Sequence, residues 1–321
     1  MYVNICTDNK SFFQYAMGLK NTGIKNWGFC LHQIDDSIEA IDPHDPGLTV
    51  AEQERVITEC RDNPWYFFRE VLRIPSATNK EGVQFHANET MVSSLFLMLN
   101  GKDSLVFTPR QRGRSMMNKV FSFYNAKFHG KGMVTLSINR PIVKADQFVL
   151  AEMNNLLPEY MQTRVATDLT RHPYVSAPVA RLNEMEAPVH STVYCSGGYV
   201  ASIFIPNKGD DDGMLKELVE LAPDYLCWDD APFHRAQYEV ESAVHQYLAL
   251  ERELGSLITA PLEAEERVRA HYHRLMETTD NKTYWNKAYY DRPDDITSGW
   301  RIEPMVSKDI ATTAAALSLT K

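Results

Sequence analysis

Cysteines are few and follow no pairing pattern. The five (Cys6, Cys30, Cys60, Cys195 and Cys227) are scattered, odd in number and include no CxxC. This argues against a zinc site or a disulfide framework and fits a reducing compartment. Long apolar runs are missing too. No segment approaches the roughly 18 uninterrupted apolar residues of a membrane span, so no membrane partner is expected. The N-terminus, MYVNICTDNK, has no basic stretch followed by an apolar run, so no secretory signal is expected either. No internal repeat or low-complexity tract is found. Positive charge is in deficit, with 33 Lys and Arg against 42 Asp and Glu, a formal net charge of −9. Proteins that coat nucleic acid are usually basic, so a standalone DNA-binding module is disfavoured. A local basic patch, or DNA gripped by several subunits together, stays open.

What is present suits a globular protein. The 321 residues, 44% of them apolar, allow one large α/β domain or a core with a smaller attachment. Pro43 and Pro46 punctuate a loop in IDPHDPGL. Thr49 with Glu52 forms a capping box for a helix running towards Ile74, broken or restarted near Pro64. The aromatic group Trp65, Tyr66, Phe67 and Phe68 reads as a helix packed on the core.

Further on, residues 88–100 read as a helix and Ser104 to Thr108 as a short strand. Met117, Val120, Phe121, Tyr124 and Phe128 recur at helical spacing. Residues 132–138 read as a strand. The next helix is expected to carry Phe148, Val149, Met153, Leu156 and Leu157 on one side. Strands are expected at 191–197 and 199–205, with a turn near Gly197 and Gly198, and again at 224–228 and 256–260. A long helix is expected between the last two, and another after Pro261. Strands alternating with helices predict a mainly parallel sheet flanked by helices on both faces.

The strand and helix around Thr108 to Met116 (TPRQRGRSM) have the context of a phosphate-binding loop. Such a loop needs a strand, a glycine-containing turn and a helix N-terminus, whose N–H groups and dipole favour phosphate. A lysine then reaches the outer phosphates, and a Ser or Thr hydroxyl meets magnesium. Gly113 and Ser115 fit, but Arg114 holds the lysine position. Two other readings remain on the residues alone: an ordinary strand–helix turn, or Arg110, Arg112 and Arg114 gripping nucleic-acid phosphates.

In DYLCWDDAPFH, an apolar strand ends in two acids. Many phosphate-loop enzymes place a magnesium-ligating Asp there, followed by a general base. Asp229 and Asp230 are the candidates, with capping or solvated acids as the alternative. His271 and His273 lie two apart on an expected helix and make a poor metal pair. His234 follows the acidic strand. Asp210, Asp211 and Asp212 read as a solvated loop.

Several segments, in order, resemble the ATPase domain of the terminase large subunit of large tailed phages, a DNA-packaging motor. They are DPHDPGLT, NPWYFFREVLRIP, PRQRGRS, KADQFVLAEMNNLLPEY, WDDAPFH and ITAPLEAEER…WNKAYYD, spanning about residues 40–291. The family loop typically reads PRQTGKS, and its acidic strand ends in Asp-Glu.

The resemblance implies a phosphate-loop α/β core at 81–300, a helical N-terminal segment or lid at 1–80 and a tail at 301–321. It implies ATP and Mg as cofactors. Arg110, Gln111, Arg112, Gly113, Arg114, Ser115 and Met116 would hold nucleotide. Ser115 and Asp229 would hold the metal. Arg110 would stabilise the transferring phosphate, and Asp230 would act as the catalytic base. Thr259, Ala260 and Pro261 would be the turn coupling hydrolysis to movement. Implied partners are further copies in a ring, a phage portal, double-stranded DNA and a separate nuclease chain, at an assembly site in the host cytoplasm.

The departures fall on catalytic positions. Arginine is a wide planar fork where the family has a compact ammonium. Asp230 is one methylene shorter than the family's Glu, and a misplacement of about 1 Å can cost around a hundredfold in rate. After Trp300 too few residues remain for the family's nuclease domain, so no nuclease activity is expected. The alternative expectation is a degenerate paralogue acting as a binding or structural component of a phage assembly.

Overall fold

The computed structural model describes residues 2–21, 25–100, 104–108, 113–137, 140–163, 190–204, 218, 221–229, 255–261, 284–288 and 300–304. In the strands at 104–108, 255–261, 284–288 and 300–304 the description is of backbone only.

The N-terminal part is built from β1 (Tyr2–Val3), α1 (Lys10–Asn21), β2 (His32–Gln33), α2 (Val50–Asp62), α3 (Pro64–Tyr66), β3 (Arg73–Ile74) and β4 (Val83–Gln84). The expected capping box is formed. Thr49 Oγ1 accepts from the Glu52 N–H at 3.3 Å, and the Glu52 carboxylate accepts from the Thr49 N–H at 2.8 Å. Asn63 ends α2 and then caps α3, its Oδ1 accepting from the Tyr66 N–H at 3.3 Å. Pro64 sits at the start of α3, where no helical hydrogen bond is lost. A π-helical turn, Phe67–Val71, follows.

The aromatic run is buried, as expected: Trp65, Tyr66, Phe67 and Phe68 all lie in the core. The Phe67 ring packs 5.7 Å from Tyr124 and 5.1 Å from Phe128, both on a helix of the sheet region, so the two parts share one core.

That region holds α4 (Glu89–Leu99), β5 (Ser104–Thr108), α5 (Arg114–His129), β6 (Gly132–Ser137) and α6 (Arg140–Asn155). It continues with β7 (His190–Cys195), β8 (Gly198–Phe204), β9 (Tyr225–Trp228), β10 (Gly255–Pro261), β11 (Tyr284–Ala288) and β12 (Trp300–Pro304). One eight-stranded sheet runs β12-β11-β5-β10-β9-β6-β8-β7. Its centre, from β11 to β8, is parallel; β12 and β7 close the two edges antiparallel. The fold is mixed α/β, with a mixed sheet.

The β7–β8 turn carries positive φ at Ser196 (44°) and Gly197 (96°), the mirror-handed geometry that suits a two-residue hairpin. β6 and β9 are buried at every position, so both faces of the sheet are covered. β12 carries the sheet past residue 300. The helices expected for 231–254 and after Pro261 lie outside the described residues.

One expectation fails on α6. Phe148 is 64% exposed, and the buried positions are Val143, Leu150 and Met153, with Leu157 just beyond the helix. The rest of the expected side holds, since Met153 and Leu157 are buried and Val149 packs against the core; Asp146 and Gln147 are turned inward beside them.

Candidate phosphate and metal site

Gly113 begins the site. It is the N-cap of α5, with φ +80° and ψ 16°, a left-handed conformation natural to glycine. A Cβ there would fall 1.9 Å from Met91 Cε on α4. Glycine has no side chain to cap the first turn of α5, and no acid stands in that turn. The first-turn N–H groups and the positive end of the helix dipole are therefore presented to whatever lies at the sheet's C-terminal edge.

Arg114 and Ser115 open α5, both half-buried. Ser115 Oγ donates to Asp229 Oδ2 at 2.7 Å, joining residues 114 apart in sequence. Asp229 immediately follows β9, and its own N–H donates to Leu136 O at 3.2 Å. One strand, β10, lies between β5 and β9, so the strands are separated by about 10 Å. The Ser115 side chain closes the remaining distance from the helix that follows β5.

β10 brings the third expected element alongside. Its register sets Thr259 opposite Val106, Ala260 opposite Phe107 and Pro261 opposite Thr108. The segment 259–261 thus ends level with β5, next to the start of the loop. Met116 is half-buried and packs against the core. Arg110, Gln111, Arg112 and Asp230 lie outside the described residues, as do Asp210, Asp211, Asp212, His234, His271 and His273.

The structure adds residues that the sequence reading did not single out. Lys119 Nζ forms an ion pair with Asp146 Oδ1 at 2.8 Å, with side chains 13% and 7% exposed. Asp146 Oδ2 accepts from Ser202 Oγ at 3.0 Å. Asn118 Nδ2 donates to Thr135 Oγ1 at 2.8 Å. Thr135 is in register with Ser202 on β8 and Cys227 on β9, so these three share the face covered by α5 and α6. A polar layer therefore lies one pleat below the Ser115–Asp229 contact.

Burial pushes the Cys227 thiol well above its ordinary range. The neighbouring carboxylates Asp229 and Asp146 push the same way, while Lys119 and Arg114 oppose them. Helical spacing could have flagged Lys119, which lies four residues after Ser115 on the same face. No local signal marks Asp146.

The residues present fit magnesium bound together with a phosphate. Both donors are hard oxygens, and Mg2+ commonly uses only one or two protein carboxylates beside waters and phosphate oxygens. Among the described residues no group of three or more His, Cys, Asp or Glu forms a self-sufficient metal cage. No described helix is long and apolar enough to cross a membrane. The sequence matches no family model and no curated protein.

Proposed function

We propose that this chain binds ATP with magnesium at a phosphate-loop site and is a counterpart of the terminase ATPase domain, coupling nucleotide to DNA translocation in phage packaging. The observation that carries the nucleotide and magnesium part of the reading is the 2.7 Å contact between Ser115, on the first turn after a left-handed glycine, and Asp229, at the end of a parallel strand; the packaging part rests on the ordered segments that resemble the terminase ATPase domain. The sheet supports it. The chain leaves β5 towards β6 on one side and leaves β11 towards β12 on the other, so the connections diverge above β5. Ligands of open α/β sheets bind at such a divergence, beyond the strands' C-terminal ends.

In this reading the α5 N-terminus holds phosphate oxygens, with Gly113 allowing their close approach. Ser115 and Asp229 hold the metal. When bound, Mg2+ neutralises charge on the phosphate oxygens. Arg110 and Asp230 stabilise the phosphate and orient water, and 259–261 transmits the change to the rest of the chain. Copies of the chain form a ring at a portal around double-stranded DNA, with a nuclease on a separate chain.

One observation favours a second reading, a paralogue that holds nucleotide with little turnover. Arg114 stands where a lysine is expected, half-buried, and its charge reaches Cys227 beneath the site. Calorimetric titration of ATP, with and without Mg2+, tests binding. Wild type is expected to bind more tightly with Mg2+, and Ser115→Ala and Asp229→Asn to lose that gain. No heat at millimolar nucleotide sinks both readings. Steady-state hydrolysis with and without DNA separates them, and turnover at motor rates removes the second. If turnover is absent, Arg114→Lys with Asp230→Glu is expected to restore it.

A further inference from the structure

We infer that Lys119 and Asp146 form a positioning pair for the metal-binding contact, setting where Ser115 meets Asp229; this rests on the function proposed above. Lys119 lies one turn beyond Ser115 on the same face of α5, so any shift or rotation of the helix at one residue is felt at the other. Its side chain is 13% exposed and its ammonium is paired at 2.8 Å with Asp146 on α6, whose second oxygen is held by Ser202 on β8 at 3.0 Å. The chain of contacts thus runs from α5 through α6 into the sheet that carries Asp229.

A buried ion pair is a poor device for stability. Desolvating both charges costs about what the attraction returns, and apolar replacements are often as stable. Its use here is geometric. An ion pair on one carboxylate oxygen and a directed hydrogen bond on the other specify a position that a greasy contact would leave loose. Groups that orient metal ligands by direct hydrogen bonds typically hold about 10–100-fold of metal affinity; Lys119 acts on Ser115 through the helix they share.

The experiment is calorimetry of the full chain with ATP alone and with ATP plus Mg2+, in wild type, Lys119→Met, Lys119→Arg and Asp146→Asn. The Mg2+-dependent gain in ATP affinity is expected to fall at least about tenfold in Lys119→Met and Asp146→Asn. Affinity for ATP without metal is expected to hold, and Lys119→Arg to recover part of the loss. General loosening of the fold would lower both affinities together, and that outcome overturns the inference. So does an unchanged Mg2+ gain in a folded Lys119→Met protein. Should Lys119→Met fail to fold, Ser202→Ala removes only the hydrogen bond to Asp146, and the same selective loss is required of it. A wild type that shows no Mg2+ gain overturns the functional reading as well, whereas a wild-type gain that survives in Lys119→Met overturns the positioning role alone.

Discussion

A methyl group added at Gly113 meets two obstacles. It lands 1.9 Å from Met91 Cε, and it must adopt φ +80°. A left-handed conformation costs a non-glycine residue about 1–2 kcal/mol, and the contact adds to that. Gly113→Ala is therefore expected to lower the urea midpoint. Adding Met91→Ala should return only part of the loss, since it relieves the contact and leaves the backbone strained. Full recovery in the double variant would mean that the strain is absent. Ser115 differs in kind. Its hydroxyl is half-buried and its one described side-chain bond is to Asp229, so Ser115→Ala should change stability little while removing the Mg2+ response. Arg114 has no counterpart test in the fold; its consequence is read in turnover.

At the scale of elements, α2 and α3 depend on two caps of different character. The Thr49–Glu52 box is exposed, and Thr49→Ala is expected to cost about 1 kcal/mol by chemical denaturation. Side-chain and backbone hydrogen bonds from Thr49 hold the Glu52 carboxyl below its usual pKa of 4.5. A carboxylate depressed in the folded state stabilises above its unfolded pKa and loses that contribution as acid protonates it. The gap between wild type and Thr49→Ala should therefore narrow as pH falls below about 4.5. A gap constant to pH 3 would show that Glu52 takes no part. Asn63 is buried and does more. It caps α3, donates to His32 O at 2.8 Å and donates to Glu59 at 2.7 Å. Asn63→Ala removes all three bonds, although Glu59 still accepts from the Ile34 and Asp35 N–H groups, and should cost more than Thr49→Ala. The larger elements are tied by polar contacts rather than by caps: α5 to β6 through Asn118, and α5 to α6 through Lys119.

At the scale of the whole molecule, buried and partly buried titratable groups among the described residues shape how stability depends on pH. Burial lowers the pKa of His32, His44 and His129, so the unfolded chain takes up protons first below about 6.5 and stability falls there. Burial also lowers Lys127 to about 8 from 10.5, while its ammonium donates to Met161 O. The folded state then holds fewer protons than the unfolded one between those values, so stability rises with pH from about 8. Thiols work the other way. Burial raises Cys30 to about 12 and Cys195 to about 11, and Cys60 well above 9.0, so above pH 9 the unfolded chain ionises first. The denaturation midpoint is therefore expected to be greatest at about pH 8–9 and to fall on either side. In Lys127→Met the rise from 8 to 9 should vanish while the alkaline fall remains. A midpoint unchanged from pH 6 to 10 would contradict both assignments.

Short-range chemistry settled much of this protein before any long-range contact was known. The capping box at Thr49, the restart at Pro64, the strand Ser104 to Thr108, the glycine at 113 and the acidic end of DYLCW follow from spacing and backbone preference within a few residues. So does the burial of Met117, Val120, Phe121 and Tyr124 along α5. Only the tertiary structure decided which of these meet. Strand order depends on pairings between residues far apart, so the level alignment of 259–261 with β5 could not be read locally. The inward face of α6 was also decided there. A polar pair with Lys119 and Ser202 turned Asp146 into the core and left Phe148 outside, against the apolar periodicity. Periodicity records a helix's own pattern of apolar residues; the partner that satisfies a buried charge comes from another element, and only packing supplies it.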